Sequence, residues 1–477
     1  MSGVFEVRIE WLEAPGVTTP ELAATWARYE IWLDGRCVTQ VETMDGTFRR
    51  SVYGSLYPLA YWIATNWWLL ISHIRPSAVD THYWTWRNVR SYPWLAQHNF
   101  RGAGDGMAWP DLTLVPEGAI SHIVWKQDYQ RNSTPVRFAS DGSGYIRVDE
   151  LRAELAAIVD HVLERLSEAG LPKTPLAEEW SEIAKADDQE QEFCRTTARM
   201  GMDPYSVNDD TADVIVNIAD QLPAEIADDF FDSADVTALA DAADWTRRAM
   251  LVSERAAARA ANTLQDIYRV VPAKTTSPTG TMDAERPWAL GYAMARQLRH
   301  ELAVKDTDQF DVSPWVGVGD VAALSHGIYG FASVTKDRCG VVLGNRGLGA
   351  TATRFGLARA LGRIVTQPGQ RQFVLSTARS HDERVARAFA AELLAPAEGI
   401  RQTLESIGKT DDSALEAVAQ RFRVSPLVVR HQYDNQIAAL QGLRTGPCPV
   451  YSFLTLRNRP GEGAMTVAEP GWPTDCD

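Results

Sequence analysis

The chain has 477 residues, 45% of them hydrophobic, and a net charge of −15. That length exceeds what one ordinary core holds, so two or three domains are expected. The five cysteines Cys37, Cys194, Cys339, Cys448 and Cys476 are scattered and lack metal-ligand spacing, which argues against a disulfide framework and for a reducing, cytoplasmic location.

Residues 1–170 read as an α/β module. Phe5 to Trp11 alternates apolar and polar residues, as a half-buried strand does. Tyr29 to Val41 reads as a hairpin, because Asp34-Gly35 separates two alternating runs. Tyr57 to Ile74 has nearly the length of a membrane span, but Pro58, Thr65, Asn66 and His73 interrupt it. With a start signal at Ser55 and Pro58, it is expected to be a buried helix, and no membrane contact is expected. Strands are expected at 111–115, 119–126 and 135–147. A helix from Val148 to Ala169 closes the module, with Leu151, Leu155, Ile158, Val162 and Leu166 at helical spacing. Eleven of the 16 tryptophans precede residue 126, which suits either a core of large aromatics or a binding surface. No basic stretch followed by an apolar one opens the chain, so no secretion signal is expected.

Residues 171–275 are expected to be helical and acidic. Between Glu178 and Trp245 stand 19 Asp or Glu against Lys185, Arg195 and Arg199, a balance of 3 − 19 = −16. Such a run suits a solvated face or docking onto a basic partner, and it opposes contact with phosphates. A long helix near 235–270 leads towards the next domain. A polar linker, Lys274 to Asp283, marks a boundary. Residues 284–442 form a further domain, and 446–477 an extended tail rich in Pro and Gly.

That third domain carries the main chemical signal. Arg354 to Arg363 reads RFGLARALGR, three changes from RFGLAHELGH. An H-E-x-x-H helix places two imidazoles at i and i+4 to hold Zn²⁺, with a Glu as general base. Here Arg359 and Arg363 stand at the two His positions and Ala360 at the Glu position. Trp288 to Leu298 reads as an entry helix, Gly340 to Leu343 as a strand, and Leu415 to Tyr433 as a terminal helical pair. Glu383 to Pro396 reads ERVARAFAAELLAP.

Together these segments, over about 287–435, resemble the ImmA/IrrE family of metallopeptidases, and the E-x-x-A-x-x-F-A-A-x-L-L-x-P segment is the most specific match. The resemblance implies a mainly helical, zincin-like domain with a small sheet, so the chain is expected to be α+β and multidomain. It also places the family's third zinc ligand at Glu383. One carboxylate does not make a zinc site, so no metal or other cofactor and no catalytic residue are expected. Three readings of Glu383 stand side by side. Ser380-His381-Asp382-Glu383 fits an S-x-x-E capping box. The carboxylate is also placed to pair with Arg359 or Arg363 in a bidentate ion pair where the metal would be. A rebuilt metal site with His381 is the third.

Other motifs weigh less. Gly344 to Thr351 and Arg101 to Gly106 read as plain glycine turns, and the Ser72-His73 and Ser325-His326 neighbours are no nucleophile and base. Val424-Ser425-Pro426 before Leu427 to Arg430 resembles the turn of a helix-turn-helix, making Arg421, Arg423 and Arg430 candidate DNA contacts.

The leading expectation is a catalytically inactive, peptidase-like binding or regulatory protein whose partner is another protein, held in the groove or on the acidic segment. The resemblance links such proteins to stress responses, toxin–antitoxin systems and phage defence. The alternatives are an active metal-dependent endopeptidase with relocated ligands, acting on a helix-turn-helix regulator, and a DNA-binding transcriptional regulator.

Overall fold

The computed structural model describes residues 5–14, 16–76, 93–129, 135–270, 287–322, 327–344 and 348–438. The linker 274–283, the tail 446–477, His326 and part of the Gly344 loop lie outside the described residues. The architecture is α+β, with several small sheets and many helices.

In the N-terminal module, Phe5–Trp11 pairs antiparallel with Trp26–Leu33, from Phe5 opposite Leu33 to Trp11 opposite Ala27. Asp34 and Gly35 both adopt positive φ, 51° and 73°, and join Leu33 directly to Arg36. A two-residue hairpin of that kind needs left-handed backbone, which Asp and Gly supply most readily. A second sheet runs Gly142–Arg147, Ile120–Lys126, Asp111–Pro116, and a third, small sheet includes Val136–Phe138. The expected strand 135–147 is thus two strands in different sheets. The helix Val148–Glu168 buries Leu151, Leu155, Ile158, Val162 and Leu166 against them. The apolar stretch after Ser55 is two helices, Tyr57–Thr65 and Trp67–Ser72, hinged at Asn66. The Asn66 side-chain amide donates to Trp62 O, a local bond that competes with helix continuation. Trp62, Trp67, Trp68, Trp109 and Trp125 are buried in one core, and Trp94 is buried as well. No helix among the described residues is long and apolar enough to cross a membrane.

The acidic middle is a run of short helices, including Pro175–Lys185, Asp188–Arg199, Asp209–Gln221 and Ala224–Phe231, followed by the longer Leu239–Ala257. Thr174, Asp187 and Asn208 cap three of them by accepting an N–H bond three residues on.

The C-terminal sheet has the order Val316–Gly319, Arg338–Leu343, Ile328–Thr335, Gln372–Ser376; the first pair is parallel and the others antiparallel. Its two faces serve different cores, as the period-2 alternation of a strand allows. Val341, Phe373 and Leu375 pack with Phe355, Ala358 and Phe389 of the helices Ala350–Thr366 and His381–Leu394. Val342, Val374 and Phe331 pack instead with Ile226, Phe230 and Trp245 from the acidic middle. The helix Leu239–Ala257 therefore lies on the sheet itself. Gly317 and Gly340 permit that approach, because a Cβ on either would sit 1.8 Å from the carbonyl oxygen of Ala256 or Ser253.

Candidate functional site: a buried arginine and carboxylate cluster

The helix Ala350–Thr366 is buried from Phe355 to Val365, so its one polar stripe is aimed inward. Arg359 and Arg363, four residues apart, share that stripe. They are 4% and 1% exposed, and Glu383 on the facing helix is 0% exposed. Ala360 is buried among apolar neighbours and offers no group to activate water.

Arg359 Nη2 donates to Glu383 Oε2 at 2.5 Å and to the Ser376 carbonyl at 2.6 Å. The other carboxylate oxygen, Oε1, accepts from Ser376 N at 2.7 Å. The last residue of the edge strand is thereby tied to both helices. The Arg359 guanidinium also lies over the Tyr329 ring, 5.0 Å from the centroid. Burial alone would raise the Glu383 carboxyl. Arg359, Arg387 and Arg363, with the Ser376 N–H, hold it below its ordinary value. Arg387 is the reverse case, pushed down to about 9 by burial and by the neighbouring Arg359.

Arg363 pairs elsewhere. Its Nη2 donates to Asp229 Oδ2 at 2.6 Å and its Nη1 reaches Oδ1 at 3.5 Å. The two-pronged contact expected at Glu383 is therefore found at Asp229, on the helix Ala224–Phe231 of the acidic middle. That helix rests on the edge strand, where Gln370 donates to Glu225 O and Arg371 N to Glu225 Oε2. Asp229 is pushed up to about 7 by burial, which Arg363 opposes and Glu383, Asp232 and Asp382 reinforce. Asp232 is raised to about 6 by burial, against the pull of Arg199, which bonds both Asp228 and Asp232.

The helix His381–Leu394 begins under Ser380, whose Oγ accepts from Glu383 N at 3.4 Å. This is half of a capping box, since the Glu383 carboxylate turns to Arg359 and Ser376. His381 N donates to Glu117 O of the N-terminal module at 2.8 Å, and Arg384 pairs with the Glu117 carboxylate. All three parts of the chain thus converge at this helix start. Beside it lies a cavity of about 490 Å³ whose lining includes Arg152, Arg199, Asp229, Asp232, His381 and Asp382.

The residues present do not fit a zinc ion. A guanidinium has no lone pair to give a metal, and both oxygens of Glu383 are already engaged. Among the described residues, no group of three His, Cys, Asp or Glu is placed to hold a metal ion. His381 Nδ1 lies near Asp382 Oδ1, at 3.3 Å, and both residues line the cavity beside the helix start.

The helix-turn-helix-like pair is Asp412–Phe422 and Pro426–Gln432, with Ser425 capping Val428 N. Arg430 pairs with Asp412 at 2.7 Å. Arg423, with φ of 54°, ends the first helix, and its carbonyl accepts from Arg354 Nη1. Gln309 donates to the Arg421 carbonyl. These three arginines lie apart from the Arg359 cluster.

Sequence reasoning brought Arg359 and Glu383 together but missed Asp229, Asp232, Arg199, Arg387 and the Glu117–Arg384 latch. The one signal for the aspartates was the local excess of acid. A model of the IrrE N-terminal-like domain family matches residues 329–433. The search of curated proteins returned no match.

Proposed function

Starting from residues 329–433 as a peptidase-like domain of the ImmA/IrrE type, we propose that the chain is a catalytically inactive member of that design that works by binding a protein. The buried Arg359–Glu383 pair carries this reading. It puts a fixed cation and its counter-ion at two positions where the family resemblance implies metal ligands. Ala360 supplies no base for the water that a hydrolysis would need. Arg363, at the other ligand position, is held by Asp229 from outside the matched segment. The helix Ala224–Phe231 of the acidic middle therefore packs on the edge strand beside the cluster and supplies the counter-ion of Arg363.

The metal content of the purified full chain tests the reading, measured by mass spectrometry beside an Arg359→His, Ala360→Glu, Arg363→His variant. The expected result is a native chain without stoichiometric metal and a variant that acquires zinc. One equivalent of zinc in the native chain, with chelator-sensitive cleavage of a protein substrate, would overturn it.

A further inference from the structure

The helices Asp188–Arg199 and Asp209–Gln221 leave between them a solvent-open trough of about 410 Å³. Its floor includes Phe193, Ile215 and Val216. Phe193 packs against both the N-terminal core and the core shared with the C-terminal sheet, so the floor is anchored from below. Val216 is 41% exposed, an apolar side chain presented to the open side of the trough. The rim is acidic, with Glu190, Glu192 and Asp220, and no Lys or Arg is among the described lining residues. Glu192 has Arg195 as an ion-pair partner on its own helix, whereas no described residue forms a salt bridge with Glu190 or Asp220.

We propose that this trough docks a basic amphipathic α-helix presented by a partner protein. Its walls are helices whose backbone groups are satisfied internally, so it offers an extended peptide no free strand edge to pair with. Two helical walls with an apolar floor suit a third helix laid between them, anchored by apolar residues at i, i+3 or i+4, and i+7. Lysines or arginines flanking that stripe meet the rim carboxylates, which steers the encounter and selects the partner. Nucleic acid has the wrong sign for this surface. A second copy of the chain would bring another −15 of charge to a site that is already negative. The inference deepens the reading as a binding protein, but metal analysis decides that reading and peptide titration decides this one. A metal-loaded chain that still captured the helix would overturn the first and keep the second.

The test titrates the full chain with a labelled synthetic Leu/Lys peptide whose leucines follow helical spacing. It runs beside a peptide of the same composition with that spacing destroyed. Fluorescence anisotropy reads both, on the native chain and on Val216→Arg and Glu190→Lys/Asp220→Lys variants whose native circular dichroism is verified. These substitutions sit on exposed side chains. The expected result is binding of the amphipathic peptide, weakened about tenfold or more by either variant and by loss of the spacing. Three results would overturn the proposal: no binding, equal binding of the disordered-spacing peptide, or a Val216→Arg variant that binds as the native chain does.

Discussion

Two sets of carboxylates from one acidic stretch meet opposite fates. Asp229 and Asp232 are turned inward and matched to Arg363 and Arg199, cations that would be intolerable in that interior alone. Glu190 and Asp220, on helices of the same stretch, stand at the rim of a trough with no ion-pair partner among the described residues. The difference shows that a balance of −16 over one segment is not one property. Part of it joins this segment to the peptidase-like domain, and the remainder is left for solvent or a partner.

The largest effect is expected at the inward set. Glu383→Ala removes the anion and leaves Arg359 and Arg387 as uncompensated buried cations, which should cost about 3–5 kcal/mol of stability. Urea unfolding measures it; a loss below about 1 kcal/mol would mean that the cluster is solvated rather than sealed. Asp229→Asn keeps the shape and one acceptor and fixes the side chain in the neutral form that burial favours, so at neutral pH it should cost about 1 kcal/mol or less. Its pH dependence sharpens the comparison. A carboxyl raised from 3.8 to about 7 binds its proton more tightly when folded. Its contribution is therefore fully present below about pH 4 and is lost as pH rises through about 7. Unfolding midpoints at several pH values should show the native chain losing stability relative to Asp229→Asn between pH 5 and 8; parallel curves would refute the shift.

The outer charges should matter little to folding. Arg430→Ala breaks a half-exposed pair with Asp412 and should cost about 1 kcal/mol or less in thermal unfolding. Val216→Arg should change stability by no more than about 0.5 kcal/mol, so that any loss of helix binding belongs to the trough and not to the fold.

How much of this was readable beforehand depended on sequence distance. Asp34-Gly35, the periodic helix Val148–Glu168 and the Ser380 cap are local signals, and each produced its element. The closeness of Arg359 and Glu383 came only through the family resemblance, since no local rule joins two helices. The Arg363–Asp229 pair spans 134 residues and crosses between segments, so nothing in the pattern around either residue announced it. The break at Asn66 was hidden because residues 67–71 are apolar on every side, and an all-apolar run has no periodicity to interrupt. The role of Leu239–Ala257 was likewise concealed. Its own sequence shows an amphipathic helix, but only the glycines at 317 and 340, far along the chain, permit it to lie on that sheet.

A double-mutant cycle on Arg359→Met and Glu383→Gln in the full chain tests the central claim most directly. If this ion pair fills the place of a metal and ties the two helices together, the cycle should yield a coupling of about 1–3 kcal/mol. Additive losses, with no coupling, would mean that the two side chains are neighbours without being partners.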